Sequence, residues 1–168
     1  DEAFVDAEPE NAVVALAGSE ELPNLIVLRS LGKFFGLAGA RVGFVFATAE
    51  KLDRLREILG PWPVSHPSRF VARRALEDFA WQTITRKRLV AASQRLAALL
   101  APHGEVSRTA LFCTLKTSHT AMLYEHFAQR AILTRHFYAH GLLRVGLPGP
   151  EAQWHRLAVA LGESNLPC

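Results

Sequence analysis

The chain has 168 residues, of which 49% are hydrophobic and 21% are charged. Its formal net charge of +3 is too small for the strongly basic surface of a nucleic-acid-binding protein, and no apolar run approaches the roughly 18 residues of a membrane-spanning helix. We therefore expect a globular cytoplasmic protein without nucleic acid or membrane as a partner. Cys113 and Cys168 lie far apart in sequence and predict free thiols.

The first third of the chain predicts strands followed by a helix. Residues 3–6 are expected to end a strand, and residues 25–29 and 41–48 to form the next two, because these runs are short, apolar and partly β-branched. Continuous apolar runs are typical of strands covered on both faces, as in a parallel or mixed α/β sheet. An amphipathic helix is expected over 49–59, ended by Gly60.

Pro61 and Pro63 make residues 60–67 a stiff joint, where we place a domain boundary. The predicted domains are therefore 1–67 and 68–168. The second begins with a long helix over 68–100 that is expected to break near Trp81. Strands at 106, 111–115, 132–133 and 142–145 and helices at 121–130 and 151–161 follow, which is the pattern of a small α/β sandwich.

One glycine-rich segment carries most of the chemical information. It contains Ser30, Lys33 and Arg41, with Gly32 and Gly36 on either side of the lysine. A lysine amine held by its surroundings can form a Schiff base with an aldehyde, while an arginine binds phosphate oxygens and glycines let a ligand approach the backbone. An aldehyde and a phosphate in one ligand indicate pyridoxal phosphate as the cofactor.

A Ser-x-x-Lys spacing also occurs in the nucleophile motif of penicillin-binding proteins, and residues 116–118 weakly resemble their Lys-Thr-Gly. That motif opens a helix, whereas glycines flank Lys33. We therefore favour the cofactor site. No metal site is expected, because His136 and His140 lack a third ligand nearby.

The segment resembles the lysine motif of the fold-type-I pyridoxal-phosphate enzymes, the aminotransferase superfamily. In that motif a serine stands three residues before the lysine and an arginine eight residues after it, as Ser30 and Arg41 stand around Lys33. The resemblance implies that Lys33 is the catalytic lysine and that Ser30 and Arg41 bind the cofactor phosphate. The opening Asp-Glu-Ala-Phe is similar to the family's Asp-x-Ala-Tyr, which implies that Asp1 pairs with the protonated pyridine nitrogen.

The implied fold is α/β, with the end of a large pyridoxal-phosphate-dependent transferase domain followed by a small C-terminal domain. Phe4 in place of tyrosine, together with residues 60–65 and 143–148, most resembles threonine-phosphate decarboxylases of cobalamin biosynthesis. Histidinol-phosphate aminotransferases are the next most similar. These resemblances imply a phosphorylated amino-acid substrate, with Arg144 on its carboxylate and Arg135 on its phosphoryl group.

The N-terminal half of such enzymes has no counterpart in these residues, so the chain resembles the C-terminal portion of a longer protein. The expected activity of the complete protein, as a homodimer, is the decarboxylation of L-threonine O-3-phosphate to 1-aminopropan-2-ol phosphate. The fragment alone is expected to be inactive. Two alternatives stay open: transamination of histidinol phosphate, and a non-catalytic fragment or interaction module.

Overall fold

The computed structural model describes residues 1–164, and its backbone contacts divide the chain into two compact units, Asp1–Arg86 and Lys87–Cys168. The division falls within one helix, Phe79–Leu100. These units reflect backbone contacts, whereas the boundary predicted at residue 67 separates two domains of the family's fold, and that boundary stays a prediction. Within residues 1–164, every helix is too short or too polar to cross a lipid bilayer.

The first unit contains a two-stranded antiparallel sheet and helices. Three short 3₁₀ helices precede the sheet, at Val5–Ala7, Pro9–Asn11 and Val14–Leu16. The sheet and the helices that follow it are β1 (Val27–Ser30), β2 (Gly43–Phe46), α1 (Ala49–Leu59), α2 (His66–Glu77) and the first part of α3 (Phe79–Leu100).

The helix predictions in this unit are confirmed. Helix α1 has the predicted bounds, and Gly60 ends it with a positive φ of 71° that favours glycine. The predicted helix over 68–100 is divided in two at Asp78, three residues before Trp81. The Asp78 carboxylate accepts the backbone N–H of Trp81 at 2.9 Å and so caps the new helix.

The predicted covering of the first strands on both faces is wrong. Strands β1 and β2 pair antiparallel, with Ser30 opposite Gly43. Val27 is buried, but Leu28, Val45 and Phe46 are exposed. Four-residue apolar strands therefore do not imply a buried parallel sheet here, because antiparallel pairs can leave one face uncovered.

The predicted strand end at residues 3–6 is also wrong, since this segment forms turns and a 3₁₀ helix. The Asp1 carboxylate accepts the backbone N–H of Ala3 at 2.9 Å, and the Glu2 carboxylate accepts that of Val13 at 2.5 Å. Bonds from acidic side chains to the backbone compete with a strand ladder, both when the partner is near in sequence, as Ala3 is, and when it is distant, as Val13 is. One ladder-like contact remains, from the Glu2 N–H to the Leu28 carbonyl at 2.8 Å.

The second unit is a two-layer α/β structure built on a four-stranded antiparallel sheet with strand order β3-β4-β6-β5. The last part of α3 leads into it. Its elements are β3 (Glu105–Arg108), β4 (Phe112–Lys116), α4 (Thr120–Gln129), β5 (Arg135–Phe137), β6 (Leu142–Gly146) and α5 (Glu151–Gly162). This architecture confirms the predicted α/β sandwich.

One face of this sheet carries the core. Alternate residues of β4 and β6 point into it and meet apolar side chains of α3, α4 and α5. The sheet contributes Cys113, Leu115, Leu143 and Val145, and the helices contribute Leu96, Leu100, Leu123, Phe127, Trp154 and Leu157. Cys113 is a free, buried thiol, as predicted, and Cys168 lies outside the described residues.

The strand predicted at residues 132–133 begins instead at Arg135. Ala131 has a left-handed φ of 53°, and the Ile132 N–H donates to the Phe127 carbonyl at 2.9 Å. These residues therefore close the end of α4 in the manner of a helix C-cap. The apolar pair at 132–133 caps a helix rather than pairing in the sheet.

Candidate functional site

The loop of residues 31–42 connects β1 to β2 and carries the predicted lysine motif. Antiparallel pairing holds its two ends together, because Ser30 lies opposite Gly43. Three apolar residues fix the loop from inside, since Leu31, Phe34 and Phe35 are all buried. Lys33 stands between these anchors and is exposed.

An aromatic cluster surrounds the buried phenylalanines of this loop. The ring of Phe34 lies 5.0 Å from that of Phe35 and 5.4 Å from that of Trp81, both edge-on. Trp81 in turn stacks on Phe35 at 5.9 Å, and the Arg86 guanidinium lies 5.2 Å from the Phe34 ring. These contacts fix the backbone beside Lys33, so the amine is presented from a rigid base.

Ser30 is placed by the backbone that follows it. Its Oγ accepts the N–H of Gly32 at 3.1 Å. A Cβ on Gly32 would lie 3.3 Å from that Oγ and 3.4 Å from the Ala38 Cα, so alanine there would require a small shift of the Ser30 side chain. The Ser30 hydroxyl keeps its own proton to donate to a ligand.

Arg41 occupies a strained position. It follows a 3₁₀ helix, Ala38–Ala40, and adopts a left-handed conformation with φ 53° and ψ 44°. A left-handed non-glycine residue costs about 1–2 kcal/mol. One N–H of the guanidinium donates to the Ala38 carbonyl at 3.2 Å, and the group has further donors with which to bind an anion.

A cavity of about 270 Å³ is lined by Ser30, Lys33 and Arg41, together with Gly32 and Gly43. The structure thus brings a hydroxyl, an amine and a guanidinium to one opening. These groups suit a ligand that has a phosphate and an aldehyde, because two of them bind phosphate oxygens and the third can bond to the aldehyde carbon. The chemistry of the donors therefore fits the predicted cofactor.

A larger cavity of about 660 Å³ adjoins it in the same unit, since Gly43 lines both, and extends beside Trp62 and Leu76. Its lining is mainly apolar, and its charged residues are Arg69 and the pair Arg73 and Glu77, which contact each other at 2.8 Å. Among residues 1–164, its lining includes no lysine or hydroxyl that could hold the predicted cofactor. The site with the suitable chemistry is therefore the smaller one.

The N-terminal segment lies beside Lys33. The Lys33 Nζ is 5.4 Å from the centre of the Phe4 ring. Asp1 is exposed and does not line the cavity of the lysine loop. Its pairing with a pyridine nitrogen stays a prediction.

Sequence reasoning missed a charged cluster that ties this segment to β1. The Arg29 Nε donates to the Glu2 carboxylate at 2.9 Å, and its Nη1 lies 3.6 Å from Asp6. The Arg86 Nε also donates to the Asp6 backbone carbonyl at 2.9 Å. An arginine at the end of an apolar strand run, next to Ser30, was the signal that could have revealed the cluster.

The two carboxylates of this cluster have opposite pKa shifts. Burial acts to raise the pKa of Glu2, but hydrogen bonds from the Val13 N–H and the Arg29 guanidinium outweigh it, and that pKa lies below its ordinary value. Burial raises the pKa of Asp6 above its ordinary value, against the opposing charges of Arg29 and Arg86. Glu2 is therefore the stronger partner of Arg29.

The predicted substrate-binding arginines lie in the second unit, as cross-strand neighbours. Arg135 of β5 pairs in register with Arg144 of β6, so both side chains project from the face of the sheet opposite the core. Thr114 of β4 lies in register on the other side of Arg144. Within residues 1–164, neither guanidinium forms an ion pair with a carboxylate.

Aromatic rings support both guanidiniums. That of Arg135 lies 4.9 Å from the Phe137 ring, and that of Arg144 lies 4.9 Å from Phe112 and 5.9 Å from Phe137. Aromatic faces attract cations without neutralising them. The two charges therefore remain available to an anion.

The family described as "Aminotransferase class I and II" matches residues 1–161. The chain belongs to this family. Among relatives of this aminotransferase-family chain, a threonine-phosphate decarboxylase of Pseudomonas aeruginosa is 50% identical over 163 residues, which cover 96% of this chain and 48% of the relative. Histidinol-phosphate aminotransferase 2 of Burkholderia mallei is 34% identical over 173 residues, covering 97% of the chain and 48% of the relative.

Among solved structures, histidinol-phosphate aminotransferase from Sinorhizobium meliloti, in complex with pyridoxal 5'-phosphate, superposes with a TM-score of 0.77 at 24% identity. The match covers 97% of this chain and 47% of that one, and at this identity it shows the fold alone. The aminotransferase-family chain thus spans about half the length of the relatives it matches. Pyridoxal phosphate is the cofactor of its family, and the lysine loop supplies groups that fit it.

Proposed function

We propose that a protein containing this chain decarboxylates L-threonine O-3-phosphate to 1-aminopropan-2-ol phosphate, with pyridoxal phosphate as cofactor, as a step in cobalamin biosynthesis. The observation that carries the proposal is the pairing of Arg135 with Arg144 across two strands. Two like charges placed directly opposite each other destabilise a sheet unless an anion joins them. A substrate with both a carboxylate and a phosphoryl group is such an anion.

The arginines bind and orient this substrate. A planar guanidinium forms two parallel hydrogen bonds with a carboxylate or a phosphate, which fixes the direction of the anion as well as its position. In our proposal Arg135 binds the phosphoryl group and Arg144 binds the carboxylate. Their cross-strand separation then selects a substrate whose two anionic groups are a few bonds apart.

The lysine loop performs the remaining tasks. When bound, pyridoxal phosphate supplies an electron sink for the pair of electrons left at Cα as carbon dioxide departs. Ser30 and Arg41 bind the phosphate of the cofactor, and Asp1 keeps a positive charge on the pyridine nitrogen. Lys33 would hold the cofactor through its aldehyde carbon, and its amine would carry a proton to Cα of the substrate.

Decarboxylation is preferred to transamination because of the relatives. The 50% identical relative is named a threonine-phosphate decarboxylase, whereas the histidinol-phosphate aminotransferase is 34% identical. Both substrates carry a phosphoryl group for Arg135, but histidinol phosphate has no carboxylate for Arg144, whereas L-threonine O-3-phosphate has one. A homodimer in the cytoplasm stays a prediction for the complete protein.

The test is an assay of a protein of the relatives' length that contains this chain. With L-threonine O-3-phosphate we expect carbon dioxide to be released without any keto acid acceptor. Arg135→Ala and Arg144→Ala should each weaken substrate binding by about 1.5–3 kcal/mol, the value of a charge-assisted hydrogen bond. Arg88→Ala, at an exposed helix position, removes the same charge and should leave the reaction unchanged.

Strict dependence on 2-oxoglutarate, with histidinol phosphate as the amino donor, would replace our proposal with the aminotransferase. No reaction with either substrate would favour a non-catalytic role.

A further inference from the structure

We infer that Phe137 is a positioning residue that holds Arg135 and Arg144 at a fixed separation and thereby sets the preference for a doubly anionic ligand. The inference deepens the proposed function and rests on its assignment of the two arginines. Phe137 is half-buried at the end of β5 and lies on the same face of the sheet as both of them.

The register of the strands explains this placement. Phe137 is two residues beyond Arg135, so both side chains point to the same face. In register it lies opposite Leu142, which makes Arg144 its diagonal neighbour on β6. Its ring centre is 4.9 Å from the Arg135 guanidinium and 5.9 Å from that of Arg144.

One ring thus attracts both cations. Without it, the like charges of Arg135 and Arg144 would drive their flexible side chains apart, since cross-strand neighbours of the same sign repel. The attraction between a cation and an aromatic face opposes that repulsion and limits the rotamers of both side chains. The guanidiniums are then ordered before a ligand arrives, which lowers the entropy that binding loses.

Phe112 provides a contrast within the same sheet. Its ring lies 4.9 Å from the Arg144 guanidinium, and it is diagonal to Arg144 from β4, opposite Gly146. Strand β6 separates β4 from β5, so Phe112 and Arg135 are not on neighbouring strands. A change at Phe112 should therefore act mainly on one anionic group of the ligand, whereas a change at Phe137 should affect both.

The experiment measures equilibrium binding to a protein of the relatives' length, loaded with cofactor, by titration calorimetry. The probes lack an amino group and so cannot react: inorganic phosphate, propionate, and 3-phosphonopropionate, which has both anionic groups. The variants are Phe137→Leu, Phe137→Tyr and Phe112→Leu. Absorbance of the bound cofactor and the thermal midpoint identify any variant that fails to fold.

For Phe137→Leu we expect affinity for 3-phosphonopropionate to fall by about 4- to 25-fold, the product of two cation–π contacts at partly exposed sites. Affinity for phosphate and for propionate should fall about 2- to 5-fold each. Phe137→Tyr keeps the aromatic face and should restore affinity for all three probes. Phe112→Leu should weaken propionate and leave phosphate unchanged.

Wild-type affinities in Phe137→Leu would overturn the inference. A loss of phosphate affinity in Phe112→Leu equal to that in Phe137→Leu would also overturn it, because the two rings would then affect both arginines alike. If the protein fails to decarboxylate L-threonine O-3-phosphate while Phe137→Leu still loses affinity for 3-phosphonopropionate, the proposed reaction is wrong and the positioning role stands.

Discussion

The Arg29 guanidinium donates to the Glu2 carboxylate at 2.9 Å, joining residues 27 positions apart in the chain. Each partner is next in sequence to a predicted cofactor-binding residue, Glu2 to Asp1 and Arg29 to Ser30. The pair therefore connects the two segments that are expected to bind opposite ends of one cofactor. It does so with side chains that are largely withdrawn from solvent, at 23% and 9% exposure.

Replacing Glu2 with glutamine should lower the free energy of unfolding at neutral pH by roughly 1–2 kcal/mol, because it leaves Arg29 without its main partner. The pKa of Glu2 is lowered in the folded protein. Its contribution is therefore present above the ordinary glutamate pKa and is lost as pH falls through the lowered value. Denaturant unfolding over a range of pH should show wild type and variant converging in acid.

The effect of Asp6→Asn on the free energy of unfolding should depend on pH in the opposite sense to that of Glu2→Gln. Since the pKa of Asp6 is raised by burial, its contribution to stability is present below the ordinary aspartate pKa and is lost as pH rises through the raised value. The variant should lack that loss, so its free energy of unfolding should rise relative to that of wild type as the pH approaches neutrality. Arg73→Gln, in an exposed helical pair, is the control, and its free energy of unfolding should follow that of wild type at every pH. If the free energies of Glu2→Gln and Asp6→Asn changed with pH in the same way, the assigned pKa shifts would be contradicted.

Lys33 should be the residue that bonds covalently to the cofactor. Borohydride reduction of the cofactor-loaded protein of the relatives' length, followed by peptide mapping, should place the label on Lys33 and leave the other lysines unmodified. Lys51 is a suitable comparison, because its Nζ already donates to the Pro23 carbonyl at 2.8 Å. Label on Lys51, or unchanged labelling in Lys33→Ala, would show that the lysine loop has been assigned wrongly.

The parts of this fold that could be predicted are those specified by local signals. Helix α1 has its predicted bounds because an apolar stripe and a terminal glycine both mark it. The strand expected at residues 3–6 could not be excluded, because the competing hydrogen bonds involve Val13 and Arg29, which are distant in sequence. Long-range partners of this kind leave no periodic pattern.

The candidate site shows the same difference between features with a local sequence signal and features that depend on distant residues. The spacing of Ser30, Lys33 and Arg41 indicated one loop, and the structure places all three around one cavity. The juxtaposition of Arg135 with Arg144 depends on strand register, and the sequence placed the strand at 132–133 instead. Register is determined by tertiary packing, so the roles of both arginines rested on family resemblance.

Gly104→Ala should strongly destabilise the second unit. Gly104 has a φ of 151°, and a Cβ there would lie 2.5 Å from the Lys116 carbonyl oxygen, which belongs to the backbone of the neighbouring strand. We expect the free energy of unfolding to fall by roughly 1–3 kcal/mol, the usual cost of such a conformation. Gly146→Ala is the matched control, since a methyl group there would meet no heavy atom of residues 1–164 within 4 Å beyond its immediate chain neighbours. Equal effects of the two substitutions would refute the predicted clash.

Arg41→Ala should weaken cofactor binding by about 1.5–3 kcal/mol, because it removes a charge-assisted contact to the phosphate. The left-handed backbone at Arg41, with φ 53°, makes a second substitution informative. Arg41→Gly removes the same guanidinium but adopts this conformation without strain, so it should bind cofactor as weakly as Arg41→Ala while unfolding at a higher denaturant concentration. Arg54→Ala, at an exposed position of α1, controls for the loss of one positive charge. Equilibrium titration with pyridoxal phosphate measures the affinities, and a dissociation constant for Arg41→Ala equal to that of wild type would show that Arg41 is retained for the loop conformation rather than for the cofactor.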